Sequence, residues 1–339
     1  MILVTGATGH LGNVLVRKLV ESEESVRVFV HPKDDLTPIE DLDVEIVWGD
    51  IRNLEDVENA CERVDTVFHL AGIISILPWR NKLVEEVNVK GVENVLKAVK
   101  KHKVNRLIYT SSVHAFMEPE PGSLITEETP IDPRRTKGAY GKSKALATLK
   151  VMDAAKAGLD AVVVCPTGII GPYDFKLSEM GRFFLNFLTS KLKYGVSGSF
   201  DFVDVRDVAD GLIKAWKHGK SGQFYILGNR NVSIEEFLKI LSELTGKKQS
   251  IKILGKNSAY IISFLLTIFQ YIFGKKPIFT PYSVHTLTRN YTFSHAKACK
   301  ELGYNPRPIE NTIRDTLNWL MEFFDLKGNA TFDLKKLSI

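Results

Sequence analysis

Tyr140 and Lys144 are the residues whose types and spacing point most directly to chemistry. They bound the stretch Tyr140-Gly-Lys-Ser-Lys144, which begins a long helical pattern. Residues four apart share one face of a helix, so the phenol hydroxyl and the ammonium group can converge. A neighbouring cation favours tyrosinate and lowers the tyrosine pKa from its ordinary value of about 10, as proton exchange near neutrality requires. Because many helices contain this spacing by chance, the pair predicts an acid/base only together with further elements.

Two adjacent serines provide a second element, in the stretch Tyr109-Thr-Ser-Ser-Val113 at the end of a predicted strand. Ligands of open parallel sheets bind outside the carboxyl ends of the strands. A serine hydroxyl at that position can donate a hydrogen bond to the carbonyl oxygen of a substrate. A turn that is rich in serine for conformational reasons is the alternative.

A glycine-rich loop, Thr5-Gly-Ala-Thr-Gly-His-Leu-Gly12, joins the first predicted strand to the first predicted helix. This arrangement places backbone N–H groups and a helix N-terminus around an anion. The spacing G-x-x-G-x-x-G differs from the G-x-G-x-x-G dinucleotide fingerprint, and glycines that serve turns alone are the alternative. The residues predicted to contact a dinucleotide here are Gly6, Thr8, Gly9, His10, Leu11 and Gly12.

The end of the second predicted strand bears on which dinucleotide is bound. NAD-binding chains usually carry a carboxylate there for the ribose 2′-hydroxyl. Here Val30 is followed by His31-Pro-Lys33, and the carboxylates Asp34 and Asp35 come later. His31 and Lys33 could accompany a 2′-phosphate, which favours NADP over NAD. Ordinary loop residues are the alternative.

These motifs need a scaffold, and the first half of the chain predicts one by alternating short apolar runs with helical patterns. Strands covered on both faces read as nearly continuous apolar runs, and alternation with helices indicates βαβ units in a doubly wound parallel α/β sheet. The predicted strands are Ile2–Val4, Val26–Val30, Val44–Trp48, Thr66–Leu70, Arg106–Tyr109, Ala161–Cys165 and Phe224–Leu227. The predicted helices are His10–Glu21, Leu54–Glu62, Lys82–His102, Gly138–Ala157, Leu177–Thr189, Val205–His218, Ile234–Thr245 and Pro308–Phe324.

The overall composition excludes several classes of protein. A net charge of +5 on 339 residues comes without long basic runs, which argues against a nucleic-acid partner. Three widely spaced cysteines, Cys61, Cys165 and Cys299, predict neither disulfides nor a metal site, and a reducing cytoplasm is the expected location. The acidic residues near Asp204 lack a histidine at metal-ligand spacing, so helix capping is expected of them. A strand that begins directly after Met1 leaves no room for a signal peptide.

One strongly apolar segment, Ser258–Phe273, requires a membrane assessment. It is shorter than the about 20 residues that span a bilayer, and it contains Ser263 and Gln270. A buried helix or a lid is the main interpretation. A peripheral membrane contact through residues 258–276, with Lys275 and Lys276 at the headgroups, is the alternative.

In combination, these motifs resemble the extended short-chain dehydrogenase/reductase family, which belongs with the NAD-dependent epimerases and dehydratases. Among its members the chain looks most like dihydroflavonol-reductase-like proteins, partly through Gly168–Pro172 and Phe293–Pro306. The resemblance covers nearly the whole chain, and its carriers are Thr5–Gly12, Gly49–Ile51, His69–Gly72, Asn88–Gly91, Tyr109–Ser112, Tyr140–Lys144, Pro166–Pro172 and Asp204–Asp210.

The resemblance implies further roles for matching residues. The family serine lies four residues before a tyrosine whose place Phe116 takes, which favours Ser112 over Ser111. Lys144 would also bind the nicotinamide ribose, and Asn88 matches a structural asparagine. Asp50 and Ile51 would hold the adenine, Leu70, Ala71 and Gly72 would line the cofactor channel, and Pro166 and Thr167 would border the nicotinamide. His31 departs from the arginine that NADP-using relatives often carry. In this family the helices of residues 82–102 and 138–157 form a homodimeric four-helix bundle, which implies a homodimer. Packing of these helices against the protein's own core alone is the alternative.

The implied architecture is a Rossmann-type domain at residues 1–165, to which residues 203–228 return. A smaller, mostly helical substrate lobe would comprise residues 166–202 and 229–326, followed by a polar tail at 327–339. The predicted activity is hydride transfer between NADP or NAD and a small, fairly apolar carbonyl/alcohol substrate. The alternatives are a sugar-nucleotide epimerase or dehydratase with tightly bound NAD, and a non-catalytic dinucleotide-binding regulator.

Overall fold

The computed structural model describes residues 1–75, 81–273 and 280–326, and its main feature is a parallel sheet of seven strands. In chain order the strands of the protein are β1 (Ile2–Thr5), β2 (Val26–Val30), β3 (Glu45–Trp48), β4 (Thr66–His69), β5 (Arg106–Thr110), β6 (Leu124–Ile125), β7 (Ala161–Pro166), β8 (Gly168–Ile170), β9 (Tyr194–Val196), β10 (Ser199–Asp204), β11 (Phe224–Leu227), β12 (Arg230–Ser233), β13 (Lys252–Leu254) and β14 (Thr292–Phe293). The seven-stranded sheet has the order β11-β7-β5-β4-β1-β2-β3, and all its pairings are parallel. The strand order reverses beside β1, which places the ligand crevice of such a fold at the end of that strand.

Helices cover both faces of this sheet, as the doubly wound prediction requires. They are α1 (His10–Glu21), α2 (Leu54–Ala60), α3 (Lys82–Glu85), α4 (Gly91–Lys101), α5 (Gly138–Lys156), α6 (Glu179–Leu188), α7 (Val205–His218), α8 (Ile234–Thr245), α9 (Lys256–Ile272), α10 (Pro281–Thr288), α11 (Ala296–Leu302) and α12 (Ile309–Phe323). Successive side chains of a strand point to opposite faces. In β5, Leu107 and Tyr109 therefore join the core beneath α4 and α5, whereas Ile108 joins the core beneath α1 and α7. This two-sided burial explains the continuous apolar runs of the sequence.

The edge strand β3 departs from the prediction that the strands are covered on both faces. Glu45, Ile46 and Trp48 are exposed there. Among the described residues the strand pairs with β2 alone, and Glu45 forms an ion pair with Arg27 at 3.0 Å. A charged residue on an edge strand discourages further strand pairing.

The helix predicted for residues 82–102 is interrupted. Between α3 and α4, residues Glu86–Lys90 form a turn of π-helix that contains the buried Asn88. Such turns insert one residue into an α-helix and occur frequently at functional sites. The apolar periodicity continues through the interruption, so the sequence pattern does not reveal it.

The second half of the chain holds more short strands than the predicted, mostly helical lobe. β8, β10 and β12 form a three-stranded sheet, β9 pairs with β13, and β6 pairs with β14. All of these strands except β10 have two to four residues, which is too short to produce a periodic pattern, so they escape sequence analysis. The six-residue β10 was missed as well. Ser233 caps α8, since its hydroxyl accepts the Glu236 N–H at 3.0 Å. The Glu236 carboxylate binds Arg230 at 2.7 Å.

The acidic residues at the start of α7 serve structural roles, as expected. Asp204 caps the helix by accepting the Arg206 N–H at 2.8 Å. Asp207 accepts the backbone N–H of Arg307 at 2.8 Å and its side-chain N–H at 2.9 Å. These contacts hold the segment that leads into α12 against α7. All three cysteines are free, and in the described ranges no helix combines the length and apolar character that crossing a bilayer requires. The predicted tail lies outside the described residues.

Candidate active site

The glycine-rich loop makes a tight turn between β1 and α1. Gly6 has φ of +74°, and a Cβ there would lie 2.7 Å from the backbone nitrogen of Ala71, so only glycine fits. A Cβ on Gly12 would clash with the carbonyl of Gly6, which explains the close approach of helix and strand. Gly9 precedes the first residue of α1 and has no side chain to cap it. The N–H groups of the first helical turn are thus available to an anion.

Thr8, another residue of this loop, is engaged elsewhere. Its hydroxyl donates to Asp34 at 2.7 Å, and Lys176 donates to both residues, at 3.1 and 3.2 Å. Thr8 is buried and does not line the central cavity described below. Lys176 therefore ties the loop that follows β8 to the phosphate loop, a contact that sequence analysis did not suggest.

His10 and Asn13 connect the start of α1 to the substrate side of the molecule. The ring Nε2 of His10 lies 2.9 Å from the carbonyl oxygen of Pro172. Asn13 donates to the carbonyl of Tyr173 at 3.1 Å. The segment after β8 is thereby held against the phosphate-binding end of α1.

The residues predicted for the adenosine end converge at the tips of β2 and β3. His31 Nε2 lies 3.7 Å from Asp50, and its Nδ1 accepts the backbone N–H of Lys33 at 3.2 Å. The Arg52 guanidinium donates two 3.0 Å bonds from Nε to Asp50, and this hydrogen bonding holds the pKa of Asp50 below its ordinary value. Ile51 lies in the core against Gly91. His31, Lys33, Asp50 and Ile51 lie outside the central cavity.

Tyr140 and Ser112 meet at the floor of the site. Both side chains are buried, at 8% and 7% exposure, and both line the cavity. Burial raises the pKa of Tyr140 to about 12, against the lowering effect of a hydrogen bond from Ser112. The prediction that Lys144 lowers this pKa is wrong for this structure, because desolvation is the largest effect and Ser112 supplies the opposing one. Tyr140 therefore stays protonated at neutral pH.

Lys144 lies one helical turn beyond Tyr140, with its ammonium group buried. Its Nζ donates to the carbonyl of Thr110 at 2.8 Å and lies 5.2 Å from the centre of the Tyr109 ring. Burial lowers the pKa of Lys144 to about 8. A Cβ on Gly72 would lie 3.4 Å from this nitrogen, so a glycine at position 72 leaves space beside the charge.

Asn88 joins the loop after β4 to the helix that carries Tyr140. Its side-chain oxygen accepts the N–H of Ile73 at 2.7 Å, and its amide nitrogen donates to the hydroxyl of Ser143 at 2.9 Å. Ser143 in turn donates to the carbonyl of Tyr140 at 2.8 Å. Asn88 is thus placed by the π-helical turn to fix the first turn of α5.

The ends of β4 and β7 provide the remaining predicted residues. Leu70 and Gly72 line the cavity, whereas Ala71 backs the phosphate loop and donates its N–H to Thr5 at 3.2 Å. Pro166 and Thr167 also line the cavity. The Thr167 hydroxyl donates to Asp201 at 2.7 Å. Burial raises the pKa of Asp201.

The polar groups around Tyr140 and the start of α1 border one cavity of about 1280 Å³ between the main sheet and the second half of the chain. Of the predicted site residues, Gly6, Gly9, His10, Leu11, Gly12, Leu70, Gly72, Ser112, Tyr140, Lys144, Pro166 and Thr167 line it. Its far wall is largely apolar and includes Phe183, Phe200, Ile262, Leu266 and Leu287. One end thus holds the polar constellation, and the other offers room for an apolar molecule.

The aromatic rings of His114 and Tyr282 lie beside Tyr140, and sequence analysis missed Tyr282. The ring of His114 lies 6.0 Å from that of Tyr140 and 6.2 Å from that of Tyr282. Burial lowers the pKa of His114 to about 4, so the imidazole is neutral at neutral pH. Gly138 at the start of α5 has φ of +72°, and a Cβ there would lie 2.7 Å from the Tyr282 ring. No pattern in the sequence links Tyr282 to a helix so far away in the chain.

In the described part of the chain, no group of three or more histidine, cysteine, aspartate or glutamate residues could hold a metal ion.

Comparison with known proteins gives a consistent result. The model of the NAD dependent epimerase/dehydratase family matches residues 2–228. Sterol demethylase protein B of Methylococcus capsulatus is 31% identical over 94% of this chain and 98% of its own. A putative dihydroflavonol 4-reductase of Synechocystis is 31% identical over 93% of each chain. The crystal structure of gox2253 has a TM-score of 0.83 and 29% identity, and the match covers 95% of this chain and 98% of that one.

Proposed function

The chain belongs to the NAD-dependent epimerase/dehydratase family, and we propose that it is an oxidoreductase in which Ser112, Tyr140 and Lys144 act on a carbonyl/alcohol pair. One observation carries this proposal. A hydroxyl, a phenol and a buried ammonium group border the same cavity as the anion-binding end of α1. A binding protein without catalysis needs the loop and the helix end, but it has no use for that trio.

The residues of the cavity suit a nicotinamide dinucleotide. The turn at Gly6 and the uncapped start of α1 can take the pyrophosphate, and Lys144 can donate to ribose hydroxyls beside Gly72. Buried in the same region, the Nε2 atom of His69 and the hydroxyl of Thr110 have no partner among the described residues. When bound, the dinucleotide supplies the donor or acceptor of hydride.

Side chains of the protein donate the proton and stabilise the negative charge that develops on the carbonyl oxygen. In the reductive direction, Ser112 donates a hydrogen bond to the carbonyl oxygen, which gains negative charge as the carbon is reduced. Tyr140 then gives its phenolic proton to that oxygen. A pKa of about 12 keeps this proton in place at neutral pH, so the resting site is set for reduction. Lys144 would donate to ribose hydroxyls and so hold the coenzyme beside Tyr140.

NADP is the proposed preferred coenzyme, with NAD as the alternative that the family description names. The tip of β2 carries the half-exposed imidazole of His31 and the exposed Lys33 in place of a carboxylate. Since Nδ1 of His31 accepts the Lys33 N–H, the ring proton lies on Nε2, where it can donate to a 2′-phosphate.

An apolar, ring-containing substrate is proposed from the wall of the cavity. The side chains that face the trio across the cavity include Phe200, Ile262 and Leu266. The relatives named for sterol and for dihydroflavonol chemistry act, by their names, on fused-ring molecules. A diphosphate sugar is the alternative ligand, because the cations Arg182, Lys191, Lys193 and Lys252 also line the cavity.

A homodimer is proposed through α3, α4 and α5. Leu83 of α3 and Leu146 of α5 are 46% and 39% exposed. Apolar positions on neighbouring helices suit an isologous interface. Sedimentation of the wild-type chain and of a Leu146→Glu variant tests this point.

The proposed activity is tested by measuring NADPH and NADH consumption with a panel of cyclic ketones, aldehydes and sugar nucleotides. We expect turnover with apolar ketones, and a loss of about 10²–10⁴-fold in kcat for Tyr140→Phe with coenzyme binding retained. Full activity of Tyr140→Phe would refute the role of Tyr140. Copurified NAD together with conversion of a UDP- or dTDP-sugar would instead identify an epimerase or dehydratase.

A further inference from the structure

Helix α9 has its apolar residues on the outside. The side chains of Ala259, Ser263 and Thr267, one turn apart, are at most 3% exposed. The outward stripe has the spacing i, i+3, i+4, i+7 and i+8, which defines one face of a helix. This stripe and the residue after the helix consist of Ile261, Phe264, Leu265, Ile268, Phe269, Ile272 and Phe273, which are 43% to 70% exposed.

This pattern is the reverse of that in a helix on a water-exposed surface, which turns its large apolar side chains inward. Nine of the seventeen large apolar side chains that are exposed in the described part of the chain lie within residues 261–273. A contiguous apolar patch of this kind marks a binding surface, whereas single exposed apolar residues need no explanation.

The charge of the surrounding segment indicates what covers the patch. Residues 244–300 contain eight lysines and one arginine but no aspartate or glutamate, although the chain as a whole has 40 acidic residues among 339. An apolar helix within a segment of uniformly positive charge is complementary to an anionic lipid surface.

Four exposed lysines, here called the lysine rim, lie beside the start of α9. Lys252 is in β13, which leads directly into the helix, and it pairs with Tyr194 of β9. Lys256 is the first residue of α9, and the remaining two members, Lys191 and Lys193, precede β9. None of the four forms an ion pair with a carboxylate in the ranges that the structure describes. Tyr194 is 61% exposed between them, in keeping with the preference of tyrosine for the membrane–water interface.

We propose that α9 and the lysine rim bind the surface of an anionic bilayer, with the outward stripe of α9 inserted between the lipid headgroups. A second copy of the chain is the competing occupant. A symmetric contact between two copies would bring lysine rim against lysine rim, and such like-charge juxtaposition is unfavourable. A bilayer with anionic headgroups satisfies both the stripe and the rim.

The proposed membrane-binding surface adjoins the cavity. Ile262 and Leu266 of α9 line the cavity, as do Lys191, Lys193 and Lys252 of the rim. The apolar end of the cavity therefore lies beside the proposed membrane surface. Given the proposed oxidoreductase activity, a substrate dissolved in the bilayer can enter the cavity without crossing water.

The membrane contact is tested without substrate or coenzyme, so its outcome is separate from that of the proposed activity. Purified full-length protein is sedimented with vesicles of phosphatidylcholine alone and of phosphatidylcholine with phosphatidylglycerol. We expect binding to the anionic vesicles and weakening of that binding as salt screens the rim. A triple variant Lys193→Gln, Lys252→Gln, Lys256→Gln should bind about 100-fold more weakly, because each lysine near an anionic surface contributes about 1 kcal/mol.

A second triple variant, Phe264→Gln, Leu265→Gln, Phe269→Gln, removes apolar area from exposed positions while it keeps good helix formers. It should also lose at least about 100-fold in vesicle binding. The matched control Lys90→Gln, Lys97→Gln, Lys100→Gln removes the same charge from exposed positions in the π-helical turn and α4, outside the lysine rim. This control should bind vesicles like the wild type.

Three results would overturn the proposal. The wild type could remain in the supernatant with anionic vesicles, or the control could lose binding as much as the rim variant. The third is that the wild type forms an oligomer that the α9 variant cannot form while neither binds vesicles, which would assign the stripe to a second copy.

Discussion

The hydroxyl groups of Ser111 and Thr148 lie 2.6 Å apart in the buried space between β5 and α5. Thr148 in turn donates to the carbonyl of Lys144 at 2.7 Å. Ser111 is thereby committed to packing α5 against the sheet, while its neighbour Ser112 accepts the His114 N–H at 3.2 Å and lowers the pKa of Tyr140. Two adjacent serines that the sequence does not distinguish thus have different surroundings.

This difference predicts that alanine substitution of Ser112 lowers activity, whereas alanine substitution of Ser111 lowers stability. Ser112→Ala removes the donor to the developing oxyanion and should lower kcat/KM by about 10²–10³-fold with little change in stability. Ser111→Ala breaks a buried hydrogen bond and should lower the free energy of unfolding by about 1 kcal/mol while activity stays within a few fold. Steady-state kinetics and urea unfolding measure both. Equal losses of activity in the two variants would contradict the assignment of Ser112.

The pKa of Lys144 predicts the pH dependence of reduction. Burial lowers this pKa from 10.5 to about 8, so the ammonium group is charged below about pH 8 and neutral above it. Since the charged form is the better hydrogen-bond donor to the ribose of the coenzyme, kcat/KM for reduction should be level at neutral pH and fall as pH rises through about 8. This alkaline limb, the fall of kcat/KM above about pH 8, is measured as a pH profile with one ketone of the panel at saturation and the coenzyme concentration varied.

The Lys144→Met variant supplies the test of that assignment. Its residual activity should lack the limb, whereas Lys142→Met, an exposed lysine on the same helix, should keep it. A limb that persists in Lys144→Met would assign the titration to another group.

Asn88 and Asn94 offer a matched pair of buried asparagines with separable predicted effects. Asn88 fixes Ser143 and the first turn of α5, whereas Asn94 donates to the carbonyl of Ile51 at 3.0 Å. Asn88→Ala should mainly lower kcat, because Tyr140 loses its positioning contact. Asn94→Ala should mainly raise the KM for coenzyme, because the loop predicted to hold adenine loosens. Similar thermal destabilisation with identical kinetic effects would show that both residues are only structural.

The scaffold of this site was largely predictable because its signals are local. The bounds of α1, β2, α7, α8 and β11 match the prediction, since each has a continuous apolar run or a helical period that a cap, a glycine or a turn ends. The glycine loop was predictable because its chemistry depends on residues adjacent in sequence. The interrupted helix at Asn88 was not, because a one-residue insertion leaves the apolar pattern intact.

The pKa values of the site residues could not be predicted from the sequence, because they depend on the three-dimensional structure. The spacing of Tyr140 and Lys144 predicts mutual influence, but burial by distant elements determines both pKa values. Tyr282 approaches Tyr140 from α10, a helix with no sequence relationship to α5, and Asp201 reaches Thr167 through the pairing of β8 with β10. Contacts of this kind arise only when the second half of the chain folds over the sheet.

The coenzyme preference gives the last prediction, and it depends on the tip of β2. His31→Asp places a carboxylate where a 2′-phosphate would bind and where a ribose 2′-hydroxyl could donate to it. We expect the Kd for NADPH to rise by about 10–100-fold and the Kd for NADH to fall or stay constant, since only the phosphate is repelled. Asp35→Asn, an exposed change of the neighbouring loop, is the control and should leave both Kd values within a few fold. Fluorescence titration of the two reduced coenzymes measures the four constants. If wild-type protein already binds NADH more tightly and His31→Asp changes the two affinities equally, the imidazole has no part in selecting the phosphate and NAD is the coenzyme.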